Sequence, residues 1–326
     1  MLRAAIYGAG HWGTRLIESV QGKSAKIEFV TAVTRDPAGK RALADRFRLA
    51  LTANYADVLA DPDIDAVVLC TPHSQHATDV IAAAKAGKHV FCEKPFTLTR
   101  ADAEAAIAAC KAAGITLQVG FNRRYAPAFV DMKRRIDAGE IGKVRHLEGQ
   151  FSGPPSYQIK PDNWRSNQIE SPGGSMTARG VHVIDSMVHI AGLIDTVFAF
   201  SERLQLAIDV DDTTACLLRF AGGVTGTLAT LHATSSFYRI HVFGSKGALE
   251  MRGETELLAS DLKGNVQRSA YDTADKERAV LEAFADGVAS GVKFVIAPEQ
   301  IVNNVAVMEA VAASARSGKA VTISPA

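Results

Sequence analysis

Ala4-Ala5-Ile6-Tyr7-Gly8-Ala9-Gly10-His11-Trp12-Gly13 is the stretch on which the reading of this chain turns. The apolar residues read as a short strand, the glycines as a tight turn, and the residues onward to Val20 as a helix. Gly-x-Gly-x-x-Gly has a mechanism only in that context. The glycines permit the turn, let backbone N–H groups approach a pyrophosphate and let the helix lie close on the strand. Gly8, Gly10 and Gly13, with His11 and Trp12 between them, are therefore candidate cofactor-binding residues.

Working outward, Ile27–Val33 reads as a second strand, and its end should select the cofactor. An NAD site would place Asp or Glu there to bind the ribose hydroxyls, whereas this chain has Thr34-Arg35. Asp36 is nearby, but before Pro37 its carboxylate has a local helix-start job. Arg35 can clamp a 2′-phosphate, so NADP is expected over NAD. The strand Ala66–Cys70 leads into Thr71-Pro72-His73-Ser74-Gln75-His76, which presents Thr71, Pro72 and His76 at the ligand end of the sheet. His73 and His76 lack an evident third ligand, so no metal site is expected and a helix-start role is.

The strand Lys88–Cys92 then delivers Glu93-Lys94-Pro95. Two readings stand: a surface lysine paired with Glu93, or an ionisable group held beside a cofactor. Lys94 falls where a buried strand stops, Pro95 stiffens the backbone beside it, and the glycine turn lies upstream, so the second is favoured. A helix over Thr99–Ala113 and a strand over Thr116–Gly120 complete five or six strands alternating with helices, a parallel doubly wound α/β sheet.

At 326 residues the chain exceeds a typical single core, and two domains are expected, residues 1–122 and 123–326. A formal charge of +1 gives no electrostatic argument for nucleic acid or an anionic membrane. No apolar run approaches the ~18 residues of a membrane span. Cys70, Cys92, Cys110 and Cys216 form no paired motif, and the first residues run straight into a strand, so a cytoplasmic protein with reduced thiols is expected.

Past Phe121 the pattern changes. Ala126–Ala138 reads as a helix and Arg145–Phe151 as a strand, followed by a loop containing Tyr157, Trp164 and Arg165. Gly173–Asp185 reads as a glycine hinge feeding a helix that carries His182, Asp185 and His189 near one face. The default for such a histidine is packing or solvation; near a nucleotide site His182 becomes a candidate acid/base group. Strands are expected at Val197–Leu206, Thr213–Phe220, Val224–Leu231, Phe237–Phe243 and Ala248–Met251, then helices at Thr273–Ser290 and Pro298–Ser317. Asp209, Asp211 and Asp212 read as a solvated strand entry rather than an acid cluster.

Gly8 to Gly13, Thr71-Pro72 with His76, Glu93-Lys94-Pro95 and Gly120-Phe121-Asn122-Arg123-Arg124-Tyr125 together resemble the glucose-fructose oxidoreductase/inositol dehydrogenase (Gfo/Idh/MocA) family. The resemblance extends over essentially the whole chain, with Glu-Lys-Pro its most specific element. It implies an N-terminal Rossmann domain and a C-terminal α+β domain with a large, mainly antiparallel open sheet through which homodimers or homotetramers form. It also implies hydride transfer between nicotinamide and a secondary alcohol or ketone of a sugar, cyclitol or polyol, with Lys94 and His182 catalytic and Arg123, Trp164, Arg165 and Asp185 on the substrate side. The family usually carries Asp-x-x-x-His on the substrate helix; here the histidine matches His182, but the aspartate position is Ala178, followed by Arg179. That departure keeps two alternatives open, a cyclic cis-diol dehydrogenase acting on a non-sugar ring and a non-catalytic NADP-binding regulator.

Overall fold

The computed structural model describes residues 1–324, so the last two residues of the expected second domain lie outside the described residues. Six strands form the first sheet: β1 Leu2–Tyr7, β2 Ile27–Val33, β3 Ala50–Thr52, β4 Ala66–Leu69, β5 His89–Cys92 and β6 Leu117–Val119. All pair in parallel in the order β3-β2-β1-β4-β5-β6. Helices α1 His11–Val20, α2 Arg41–Phe47, α3 Tyr55–Ala60, α4 His76–Lys85 and α5 Arg100–Ala113 alternate with them. The strand order reverses between β1 and β4, and an open parallel sheet takes its ligand beyond the carboxyl ends of the strands at such a point. Ala4, Ala5, Ile6 and all of β4 are buried, as strands covered on both faces require.

Nine strands form the second sheet. They are β7 Val144–Ser152, β8 Ile194–Glu202, β9 Thr213–Phe220, β10 Thr225–Leu231, β11 Phe237–Gly244, β12 Gly247–Arg252, β13 Glu256–Asp261, β14 Val266–Ala270 and β15 Val321–Thr322. Their order is β14-β13-β12-β11-β7-β10-β9-β8-β15, and only β7 and β10 pair in parallel. The remaining helices are α6 Pro127–Asp137, α7 Val181–Ala191, α8 Lys276–Ala289 and α9 Pro298–Ser317. In β9 the even-numbered residues Thr214, Cys216, Leu218 and Phe220 are buried while Ala215, Leu217 and Arg219 are exposed, the alternation of a sheet with one covered face.

The chain forms two compact units. The first holds Met1–Thr97, Ala101–Asn122 and Asp275–Ile301, and the second holds Leu98–Arg100, Arg123–Ala274 and Val302 onward. Asp275–Ile301, far along the chain, belongs to the first unit. The reason is packing. Phe284 on α8 meets Phe91 on β5 edge-on at 5.9 Å, and Glu277 pairs with Arg15 of α1 and accepts from Asn122 at 3.1 Å. Among the described residues no helix is long and apolar enough to cross a membrane.

Three local expectations are revised. The helix read as beginning at Asp36 is a single 3-10 turn, Ala38–Lys40, followed by α2, and the short strand β3 was missed. The strand read through Leu206 stops at Glu202. Asp212, read as solvated, is buried: its carboxylate accepts backbone N–H bonds from Leu204, Gln205 and Leu206 at 2.7–3.2 Å, which hold its pKa down against burial.

The seat of α7 depends on Gly149 in the middle of β7. A Cβ there would lie 2.2 Å from Val183 Cγ1 and 3.0 Å from Met187 Cε, both on α7. Gly149→Ala is expected to destabilise the protein by about 1–3 kcal/mol through overpacking. Gly222→Ala, where a Cβ meets nothing within 4 Å, is expected to leave stability unchanged. Equilibrium denaturant unfolding of both variants checks this.

Candidate active site

The glycine turn is shaped by two backbone contacts. Gly8 has φ +101°, and a Cβ on it would lie 2.5 Å from the Cys70 carbonyl oxygen. A Cβ on Gly13 would lie 2.2 Å from the Gly8 carbonyl oxygen. At Gly10, by contrast, a Cβ would enter open space. Gly10 precedes α1 without any side-chain cap, and the first turn of α1 has no acidic residue. The free N–H groups and positive end of the helix dipole therefore face a bare glycine cradle, which fits a pyrophosphate. His11 is exposed beside it and Trp12 is half-buried.

At the end of β2, Thr34 donates its N–H to the Thr52 carbonyl at 3.0 Å, and its hydroxyl accepts from the Asp36 N–H at 3.3 Å. The Asp36 carboxylate accepts from the Gly39 N–H at 2.9 Å, the local job its sequence context implied. Arg35 is exposed, and its positive charge reaches Tyr7 at the end of β1. Tyr7 stacks on Tyr55 with ring centroids 4.6 Å apart.

Thr71 is buried at the end of β4 and donates its hydroxyl to Asp79 at 2.9 Å. Asp79 sits in the first turn of α4, and burial pushes its pKa up to about 6 against the opposing pull of that hydroxyl. Sequence reasoning missed Asp79, because one carboxylate in an Ala-rich helix carries no signal until the fold places it under Thr71.

His76 is buried with Nδ1 2.8 Å from the Pro95 carbonyl oxygen and Nε2 3.0 Å from that of Thr71. The imidazole thus spans the loops that follow β4 and β5. His73 stands edge-on to it at 5.8 Å between centroids. Among the described residues no group of three His, Cys, Asp or Glu side chains could hold a metal. Pro95 follows Lys94 through a cis peptide bond, and Pro72 enters the β4 loop with an extended ψ of 147°.

Glu93 is buried under Lys94. A Cβ at Gly120 would lie 2.7 Å from Glu93 Oε1, so Gly120 makes room for the carboxylate. The Lys94 N–H donates to Glu93 Oε2 at 3.2 Å. Burial raises the Glu93 pKa, offset first by the Lys94 charge and also by the Lys94 backbone N–H.

In the second unit, the five-residue π-helical turn Met176–Gly180 leads into α7, on which His182 and Asp185 are buried. Arg124 engages Asp185 through Nε at 2.9 and 3.1 Å and Nη2 at 2.7 Å, and its Nη1 lies 3.1 Å from His189 Nδ1. Burial raises the Asp185 pKa while Arg124 lowers it. Burial and then Arg124 push the His189 pKa down to about 4. Asp185 thus has a guanidinium partner that the sequence did not disclose.

Arg123 pairs with Glu254 and lies over the rings of Phe151 and Tyr238, at 4.3 and 4.6 Å from the centroids. Phe151 is 6.2 Å from the His182 ring, which joins Arg123 and His182 in one cluster. Arg179 also lies over Phe151, at 4.7 Å. Ala178 is half-buried on the turn that precedes His182. Trp164 and Arg165 stack on each other at 4.0 Å in the loop after β7.

Residues 2–121 match the model of an oxidoreductase family with an NAD-binding Rossmann fold, Gfo/Idh/MocA, and residues 129–250 match the Gfo/Idh/MocA C-terminal domain. The chain is 33% identical over 205 residues to the uncharacterized oxidoreductase YrbE of Bacillus subtilis (strain 168), an alignment spanning 61% of this chain and 58% of that protein. It is 32% identical over 279 residues to the myo-inositol 2-dehydrogenase of Thermotoga maritima, covering 81% and 80% of the two chains. The crystal structure of an aldose-aldose oxidoreductase from Caulobacter crescentus, complexed with glycerol, matches with a TM-score of 0.89 at 26% identity over 99% of each chain. With both halves matched by models of one family, the chain belongs to the Gfo/Idh/MocA oxidoreductases, whose first domain is an NAD-binding Rossmann fold.

Proposed function

We propose that this protein transfers a hydride between the nicotinamide of bound NADP and the secondary alcohol carbon of a sugar, cyclitol or related polyol. One observation carries the reading: a single unit holds the bare glycine cradle at the uncapped start of α1 and, after β5, Lys94 with its N–H on the buried Glu93 carboxylate. The backbone of Gly8 to Gly13 holds the pyrophosphate, Thr34 and Arg35 hold the adenosine side, and Thr71, Pro72 and His76 shape the opposite side. When bound, the dinucleotide supplies the carbon that accepts or releases the hydride.

Lys94 takes the hydroxyl proton when the alcohol is oxidised and returns it when the ketone is reduced. Its ammonium also faces the developing alkoxide, where a fixed positive charge lowers the barrier. Glu93, which accepts the Lys94 N–H, keeps the lysine backbone in place. His182 assists at the substrate oxygen, with Arg123 beside it. Asp185, held by Arg124, orients the α7 face, and Trp164 with Arg165 closes over the substrate. Arg35 in place of an acidic residue after β2 supports NADP over NAD.

Two copies meet through the open face of the second sheet, where Phe200 and Leu217 are 62% and 60% exposed. The four cysteines form no disulfide, which fits a reducing cytoplasm.

Lys94→Met is expected to abolish nicotinamide reduction with every polyol while leaving NADPH binding within about twofold in a calorimetric titration. Retention of near wild-type turnover defeats the assignment, and wild-type protein that binds NADH more tightly than NADPH overturns the cofactor choice. Sedimentation of the wild type should give a dimer or tetramer, and of Phe200→Glu with Leu217→Glu a monomer.

A second expectation concerns pH. The Asp79 pKa is raised from 3.8 in the unfolded chain to about 6, so the folded protein holds the extra proton between those values. This contribution to stability is present below the window and is lost as pH rises through about 6. Asp79→Asn should remove it, so that the wild-type melting temperature falls relative to the variant between pH 4 and pH 7. Parallel melting curves across that range would refute the linkage.

A further inference from the structure

The surroundings of His182 carry more positive charge than a neutral polyol needs. Arg123 and Arg179 both lie over the Phe151 ring, and Phe151 contacts the imidazole of His182. Arg179 sits three residues before His182, so the two side chains emerge from neighbouring positions of one helical face. The π-helical turn that contains Arg179 is a local distortion of the kind concentrated at functional sites.

The charges do not balance. Arg123 has Glu254 as its ion-pair partner. Arg179 is half-buried and donates Nη1 to the Ser152 carbonyl at 2.6 Å. No carboxylate of the described residues pairs with Arg179. The Arg179 guanidinium thus stands in the His182 cluster without a carboxylate of its own. Burial lowers the Arg179 pKa and the neighbouring Arg123 charge lowers it further, with no acidic group opposing them. Asp185, the nearest acid on α7, is already engaged by Arg124.

The backbone is arranged to keep Arg179 there. A Cβ at Gly153 would lie 2.6 Å from Arg179 Nη1 and 2.8 Å from Nη2, so the chain is stripped to glycine where the guanidinium passes. The Phe151 ring fixes the plane of the fork through cation–π contact. A half-buried guanidinium, held by one carbonyl and an aromatic face, retains donors for an external oxygen pair.

We propose that the substrate of this enzyme is an anionic sugar derivative, a sugar acid whose carboxylate is taken by Arg179 while its reacting hydroxyl lies at His182. The proposal rests on reading the α7 face as the substrate site and narrows the substrate class. Arg179 is then a specificity-determining residue, and the group it binds is not the one that reacts.

Matched pairs test it: a hexuronate with its parent hexose, an aldonate with its alditol, and a hexose 6-phosphate as the second anion source. Binding is measured by calorimetry with and without NADP, and turnover by nicotinamide absorbance. The acid of at least one pair is expected to bind about tenfold more tightly than its neutral parent, more at low salt than at high salt. Arg179→Gln should bring the two within about twofold, and Arg179→Lys should keep part of the preference. Stronger binding of the phosphate than of the carboxylates supports the anion site and reassigns the anion. Equal or tighter binding of the neutral members overturns the proposal even where they are oxidised, a result that leaves hydride transfer standing. An acid bound tightly without nicotinamide reduction does the reverse, supporting the anion site and removing the hydride-transfer reading. Failure of every pair to bind overturns the proposal.

Discussion

The close approach of backbone at Gly8 is the constraint on which the first unit depends. The Cys70 carbonyl oxygen occupies the place a side chain would take, and the Gly8 carbonyl does the same at Gly13. These contacts press the start of α1 onto the carboxyl ends of β1 and β4, where the strand order reverses. The helix start is left with unpartnered N–H groups beside an open Gly10, a combination that suits an anion. From there the support runs through packing: Glu93 sits in the room left by Gly120 and accepts the Lys94 N–H. His76 fastens the same loop to the end of β4 by meeting the carbonyls of Thr71 and Pro95.

The second unit uses a similar device. Gly149 lets α7 settle against β7, and Gly153 lets Arg179 pass beside Ser152. Arg124 spans from the segment after β6 to Asp185 and His189 on α7. A buried carboxylate left alone would cost several kcal/mol, and the three-contact guanidinium offsets that cost while fixing the helix rotation. Asp185 is thereby paired with Arg124, while His182 meets Arg123 and Arg179 across the Phe151 ring.

Much of this was legible in the chain itself. The glycine spacing, the strand–helix alternation and Glu93-Lys94-Pro95 identify the doubly wound sheet and the candidate lysine, because each is a local pattern tied to a local backbone requirement. Asp36 is similar: Asp-Pro ahead of a glycine already implies a carboxylate turned to its own backbone, as its bond to Gly39 shows. Asp212 is the contrary case. Three aspartates in four positions look solvated, yet the loop of residues 203–212 folds back and aims three N–H groups at one of them. Nothing in sequence spacing announces that return.

Fold class and the glycine turn follow from the chain alone, since dihedral freedom and strand periodicity belong to residues and their near neighbours. Tertiary structure alone decided the partners. It joined Asp79 to Thr71 across eight residues, Arg124 to Asp185 across 61, and Asn122 to Glu277 across 155. It also gathered Arg123, Phe151, Arg179 and His182 into one charged cluster. Burial and charge pairing depend on what packs against a residue, and packing between distant segments is not written in either segment alone.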